Sequence, residues 1–247
     1  MKQSTIRIIN LVLVIPIVVL TYLLVTSVMK PVLFKEEVRA RNAVAIQRLK
    51  DIRELQVAYK TVHGEYASTM VALQKFYNEG KMSVEMNVGS KDDSLAMANT
   101  ARLRKSPKYR RFNDKEFNAE LKKLYDQGEK DLVFTTVTEV DVKKTVLADR
   151  EDFIIDSIAF IPFSGGDSVL VAARVTEVGK VKVPLFEANM PYWSLYKGLD
   201  EQEIANLIYD KCQSEIVRKN LRNTKEGLRV GDVNEPNNNA GNWENIY

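Results

Sequence analysis

The side chains able to do acid–base, nucleophilic or metal chemistry are few and scattered in this chain of 247 residues. It holds one histidine, His63, and one cysteine, Cys212. Most general-base, triad and zinc sites need at least one imidazole and commonly several ligands. Catalysis would therefore have to rest on carboxylates, Lys or Tyr. Gly165-Gly166-Asp167-Ser168 joins glycines to a hydroxyl, but it lies between two strand-like stretches. It fits neither a phosphate loop nor a nucleophile elbow, both of which lead from a strand into a helix; it reads as a turn. The acid clusters Asp92-Asp93, Asp149 to Asp152 and Asp200 to Glu203 stand at loop and helix-start positions, where carboxylates cap or solvate. His63, directly before Gly64, is placed to meet the last carbonyls of a helix. No catalytic residue, metal site or cofactor is expected, and the protein reads as non-enzymatic.

One cluster has the chemistry of recognition. Arg102, Arg104, Lys105, Lys108, Arg110 and Arg111 are six bases within ten residues that include no acid. Such a run suits an anionic partner: a lipid headgroup, a glycan or an acidic peptide. The plainer alternative is a solvated loop. Tyr109 and Phe112 are its only rings, too few for the stacking of a single-strand binder. The formal charge is +3, and outside the first 29 residues there are 34 basic against 33 acidic side chains. A near-neutral body offers no broad field for nucleic acid, which is not expected as a partner.

The elements that would position these groups begin with a membrane segment. Ile8 to Met29 is 22 residues without a charge. As a helix it spans roughly 33 Å, which matches a hydrocarbon core of about 30 Å. Ile8, Leu11, Val14, Pro16, Leu20, Leu24 and Val28 are its representative residues, and the bilayer is the first expected partner. The run is too long for a cleaved signal peptide and lacks a small-x-small cleavage site. Lys2 and Arg7 precede it; Lys30, Lys35, Arg39, Arg41 and Arg48 follow it. A literal positive-inside count keeps the body in the cytoplasm, whereas a short basic tail before an apolar run is how a signal anchor begins.

Pro31 is expected to end the span. From Phe34 to Val62 the chain has neither Gly nor Pro, and Val38, Ala45, Leu49, Ile52, Leu55, Tyr59 and Val62 draw one apolar stripe along a helical stalk. The stripe can pack on the protein's own next domain, or on a second copy as a coiled coil. Its alanines and Asn42 are weak seam residues for the latter. Gly64 fits a left-handed helix end, and Ser68 or Thr69 can cap a second helix, Val71 to Glu79.

The junction "AYKTVHGEYASTMVAL" resembles the end of the long helix in type II secretion major pseudopilins and type IV pilins. There an aliphatic-Tyr helix closes on Gly-x-Tyr before a short Leu-bearing helix. That resemblance implies a component of a secretion or pilus-like machine. The pilin processing site, a Gly-Phe with a following Glu, does not stand before the apolar run here. "RNAVAIQRLKDIRELQVAYK", "DDSLA", "IPFSGG" and "NNNAGNWE" are similar to a group of single-pass membrane proteins of Bacteroidota, which implies an inner-membrane envelope protein with its head in the periplasm and other envelope proteins as partners.

Beyond the junction, Lys81 to Val88 alternates as a half-buried strand does. Gly89 to Asn113 shows no sustained period. Asn113 caps a helix, Asp114 to Gln127, that Gly128 ends. Residues 132–148, 153–162, 168–178 and 181–188 read as four strands of one antiparallel meander, with turns at Gly165-Gly166-Asp167 and Gly179-Lys180. Asp200 caps an amphipathic helix to Leu221, with Cys212 on its apolar stripe as a small buried hydrophobe. "GLRVGDV" is a last short strand, and "NEPNNNAGNWENIY" a polar tail that docks Trp243 in a groove. The expected architecture is α+β: a tail and transmembrane helix (1–30), a helical stalk (31–63), and an antiparallel-sheet head with flanking helices (64–247).

Overall fold

A computed structural model of the chain describes residues 3–219 and 224–244. The protein is α+β and forms two compact units, Met1–Gln74 with Phe153–Tyr247, and Lys75–Asp152.

The first unit is organised by one helix, α1 (Gln3–His63), of 61 residues. It runs through Pro31, where the sequence suggested an end. A proline removes only its own N–H bond and crowds one carbonyl, and helix formers on both sides carry the helix across. From Val12 to Leu33 most apolar side chains are exposed. From Val38 onward one face is buried: Val38, Ala45, Leu49, Ile52, Leu55 and Ala58. The segment read as a stalk is thus the core helix of its own unit. At its end Gly64 takes φ +80 and its N–H returns to the Lys60 carbonyl at 2.8 Å, a left-handed cap. Thr69 Oγ1 then accepts from Ala72 N, starting α2 (Met70–Glu79).

Packed on α1 is a three-stranded antiparallel sheet, ordered β3 (Leu170–Val178), β4 (Val181–Met190), β5 (Leu228–Gly231). Val178 pairs with Val181 across Gly179 and Lys180, both at positive φ, the two-residue turn whose twist suits a hairpin. Leu185 to Met190 is buried without a break, so β4 is covered on both faces. Gly231 closes β5 at φ +74, where a Cβ would collide with the Phe186 carbonyl oxygen. The short α6 (Tyr192–Leu195) and the long α7 (Glu201–Lys219) lie between β4 and β5 in sequence. Asp200 caps α7 as expected, accepting from Gln202 N and Glu203 N at 3.1 Å. Asn220 and Leu221, with which the pattern closed that helix, lie outside the described residues.

The expected meander is not formed. Residues 153–162 make a 3-10 turn, Ile155–Ala159, with a single bridge from Phe160 to Ser168. Bulky Ile and Phe there suggested a strand, but Ser157 takes the Ile154 carbonyl through both its N–H and its hydroxyl, which curls the backbone.

The second unit pairs β1 (Lys81–Val88) with β2 (Phe134–Asp141) over eight residues, antiparallel. β2 therefore leaves the meander for a partner about 50 positions upstream. A one-turn helix, α5 (Val142–Thr145), follows it. Between the strands lie α3 (Ser94–Lys105) and α4 (Asp114–Asp126). Tyr109, Phe117, Leu121, Leu132 and Phe134 form the core, flanked by Leu103, Phe112 and Tyr125. Asn113 and Glu116 make a reciprocal capping box.

Candidate functional site

Three places hold the residues singled out in the sequence. The first is the junction after α1. Gln56, fully buried, reaches Ala67 with both ends of its amide: Nε2 donates to the Ala67 carbonyl at 2.8 Å and Oε1 accepts from Ala67 N at 2.9 Å. It thereby substitutes for a strand partner. Tyr66 packs its ring on Phe186, centroids 4.7 Å apart, with Lys60 Nζ 5.0 Å from the ring centre. Its hydroxyl accepts from Asn239 Nδ2 at 2.9 Å. The tail is thus structural: Val230 bridges Gly241, Asn242 N donates to the Arg229 carbonyl, and Arg53 Nη1 meets Glu244 Oε1 at 2.7 Å. Residues 245–247 of that tail lie outside the described residues. His63 Nδ1 sits 3.1 Å from the Tyr59 carbonyl, and its ring stacks on Tyr59 at 4.0 Å.

Of the stripe residues, Val38, Ala45, Leu49, Ile52 and Leu55 are consumed by this unit's own packing, Tyr59 is half-buried and Val62 is exposed. Asn42 has its own role there. It accepts the Tyr196 hydroxyl at 2.7 Å, and Tyr196 is fully buried, its phenol pushed up to about 12 by burial, against the opposing effect of the Asn42 bond. Of the span residues, Val14, Leu20, Leu24 and Val28 are exposed, as is Pro16. The side chains of Ile8 and Leu11 lie outside the described residues.

The basic cluster belongs to the second unit, and it is half helix and half loop, with Lys108, Arg110 and Arg111 in the turns after α3. Arg102, Arg104 and Lys105 form the last turn of α3, which Asp93 starts by accepting from Leu95 N and Ala96 N. Cations at a helix C-terminus complement its dipole. Arg104 is structural: its guanidinium lies 4.7 Å from the Phe117 ring centre and meets Asp114 at 2.9 Å. Lys108 lies 4.8 Å over Tyr109, whose hydrogen bond lifts its pKa, with Glu120 a lesser contributor. Arg102, Lys105, Arg110 and Arg111 are exposed, so four bases face solvent together with Lys108. The sequence hides this helix because Leu95 and Met97 point outward, leaving no apolar period; Asp93 before helix-forming residues is its one local signal.

The third place is a cleft of about 390 Å³ in the first unit, between α1, α7 and β5, lined by Ile46, Leu207, Cys212, Leu228 and Trp243 among others. Trp243 therefore does reach a groove. Behind it Arg229 Nη2 is paired with Glu215 in a buried ion pair. Thr224 Oγ1 donates to Glu215 Oε2 at 2.7 Å, and Arg229 Nη1 donates to the Lys225 carbonyl at 2.6 Å. Lys225 Nζ reaches both oxygens of buried Glu187 at 2.7 Å. Burial, with Glu226 and Glu215 beside it, pushes the half-buried Cys212 thiol up, away from the reactive thiolate. Two of the charged groups lining the cleft, Glu215 and Lys225, are thus paired, with Arg229 and Glu187. Among the described residues no three His, Cys, Asp or Glu side chains are grouped to hold a metal ion.

No protein-family model, curated protein or solved structure matches the chain. Among the described residues one helix is apolar and long enough to cross a membrane, and its apolar stretch is exposed.

Proposed function

We propose that the protein is a non-enzymatic, membrane-anchored structural or interaction component of a bacterial envelope assembly. One observation carries this: α1 passes without a break from an exposed apolar stretch into the core of a folded unit. A chain that builds its scaffold on its own anchor is suited to holding a body at a fixed place on a membrane.

The anchor reads as a signal anchor of the inner membrane, with the folded part in the periplasm and other envelope proteins as partners. Two of the bases after the span also tie α1 to the rest of its unit. Arg41 Nη1 donates to the carbonyls of Leu195 and Lys197, and Arg48 Nη1 to that of Phe160 at 2.6 Å. The count near the span still favours a cytoplasmic body, Lys30, Lys35, Arg39 and Arg41 against Lys2 and Arg7, and the periplasmic placement rests on the short basic tail that opens a signal anchor. The local likeness to pseudopilins at residues 58–73 supports a secretion or pilus-like machine. Extraction in mild detergent followed by native mass determination tests the assembly. A stoichiometric complex with other envelope proteins is expected, and a lone monomer would overturn it. An active C-terminal alkaline phosphatase fusion is expected for a periplasmic body; an inactive one beside a fluorescent cytoplasmic fusion would reverse the orientation.

A second reading has its own observation: Arg102, Lys105, Arg110 and Arg111 stand exposed together on the second unit. They suit a tethered binding module for an anionic glycan, lipid or peptide. Neutralising all four separates the readings, since loss of an anionic ligand with the assembly intact would favour this one.

A further inference from the structure

α1 also fixes how near the bilayer its unit lies. Side chains on a helix lean toward its N-terminus, and Arg41 does so: its Nε meets Glu37 Oε1 at 2.9 Å, one turn nearer the span. The same guanidinium holds the carbonyls of Leu195 and Lys197 and lies 5.1 Å from the centre of the Phe163 ring. The turn after α6 and the Phe163 loop therefore lie at about the level of Glu37. Along the axis that is roughly 6 Å beyond Leu33 and roughly 12 Å beyond Met29. The polar layer outside the hydrocarbon is about 5 to 8 Å deep on each side. Measured from Leu33, the last exposed apolar residue before the buried face of α1, the loops fall within that layer; measured from Met29 they lie about 4 Å outside it.

Their composition fits. Phe163 is 50% exposed and held at φ +64, in the left-handed region that a bulky residue occupies rarely. The loop is not loose: buried Ser164 donates to the Ile161 carbonyl at 2.8 Å and accepts from Asp167 N at 2.9 Å. An aromatic ring is thus held outward by a braced turn in an unfavourable backbone state, and such states cluster at functional sites. Around it the charge is positive. Arg41 is matched by Glu37, and Lys197 lies 3.8 Å from Asp167. Lys30, Lys35 and Arg39 are exposed, with Glu36 as the adjacent acid.

We propose that the Phe163 loop rests in the headgroup layer of the bilayer that α1 crosses, its ring at the interface and Lys30, Lys35 and Arg39 on lipid phosphates. Aromatic rings and snorkelling bases are what that layer favours. The unit then has three supports on the membrane, the span, the ring and the basic collar. The proposal rests on reading α1 as a span, and its test separates the two.

The full chain would be reconstituted in vesicles of phosphatidylcholine with phosphatidylglycerol, carrying one nitroxide at a time in a Cys212→Ser background. Labels go at Val19→Cys in the span, Glu65→Cys at the far end of α1, Phe163→Cys and Lys197→Cys. Depth is read from accessibility to oxygen relative to a water-soluble nickel chelate. The expected result is a deep label at 19, an aqueous one at 65, and ratios at 163 and 197 several-fold above that at 65. Aqueous ratios at both 163 and 197, with 19 deep, would overturn the headgroup contact and leave the span standing. An aqueous ratio at 19 would overturn the span and the contact together. Lys197 keeps the test decisive if labelling at 163 disturbs its turn.

Discussion

Tyr66 and Asn239, 173 residues apart in sequence, meet at 2.9 Å, the amide donating to the phenol. The bond joins the turn after α1 to the tail that lies beside β5, and Asn239 holds φ +57 to make it. Tyr66→Phe should lower stability by about 1 kcal/mol, the worth of one hydrogen bond, and Tyr66→Ala by about 3 to 5 kcal/mol through loss of the buried ring. Urea midpoints would measure both. In each variant amide exchange should quicken over 237–244.

Gln56 answers for two buried backbone groups at once. Gln56→Leu keeps the volume but leaves the N–H and C=O of Ala67 without partners, and should destabilise by about 2 kcal/mol or more. A midpoint unchanged from the parent would show that water replaces the side chain.

The Arg229–Glu215 pair is buried at both ends, with side chains 7% and 9% exposed. Removing one partner strands a charge. Glu215→Leu or Arg229→Met alone should cost about 3 to 5 kcal/mol, while the double variant recovers most of the loss. A double-mutant cycle in thermal or chemical unfolding reads the coupling directly.

Two buried phenols set the alkaline limit. Burial raises Tyr192, helped by Tyr196, and raises Tyr196 to about 12 from an ordinary value of 10.0. In the folded state they keep protons that the unfolded chain gives up. Their contribution is therefore whole below pH 10 and is lost as pH rises through about 12. Tyr196→Phe should flatten that fall, which stability measured across the alkaline range would show. An unchanged slope would place the titration elsewhere.

Arg104 and Arg110 are neighbours in sequence with opposite duties. Arg104→Ala removes a cation–ring contact and an ion pair and should destabilise the second unit by about 1 kcal/mol. Arg110→Ala, exposed, should stay within about 0.5 kcal/mol of the parent. Equal effects would refute the division between a structural and a solvent-facing base.

Local signals were legible in the sequence, and long-range partners were not. Gly64, Asn113, Asp200 and the Gly179-Lys180 turn each act through neighbours within a few residues, so their side-chain chemistry announces them. The α+β class follows from periods of 3.6 and 2 read in succession. What escaped depends on distant chain. Nothing near Phe134 tells it to pair with Val88 instead of joining a meander. Asn42 reads as a poor seam residue until Tyr196 arrives from 154 positions away. The polar tail could be seen to want a groove, but its bridge to β5 and its tie to Arg53 need the fold. For the same reason the basic run was visible as charge and not as a helix end, and the Phe163 loop was read only as a turn.

The continuity of α1 has a mechanical consequence. A head hung on a flexible linker swivels freely, and its partners must find it in any orientation. Here the apolar stretch and the core helix are one continuous helix, with no Gly between Gln3 and His63 to act as a swivel and Pro16 and Pro31 as its points of weakened hydrogen bonding. With that stretch in a bilayer as proposed, roll or tilt of the span would turn the first unit with it, and lipids or neighbouring helices that set the azimuth of the one would set the azimuth of the other.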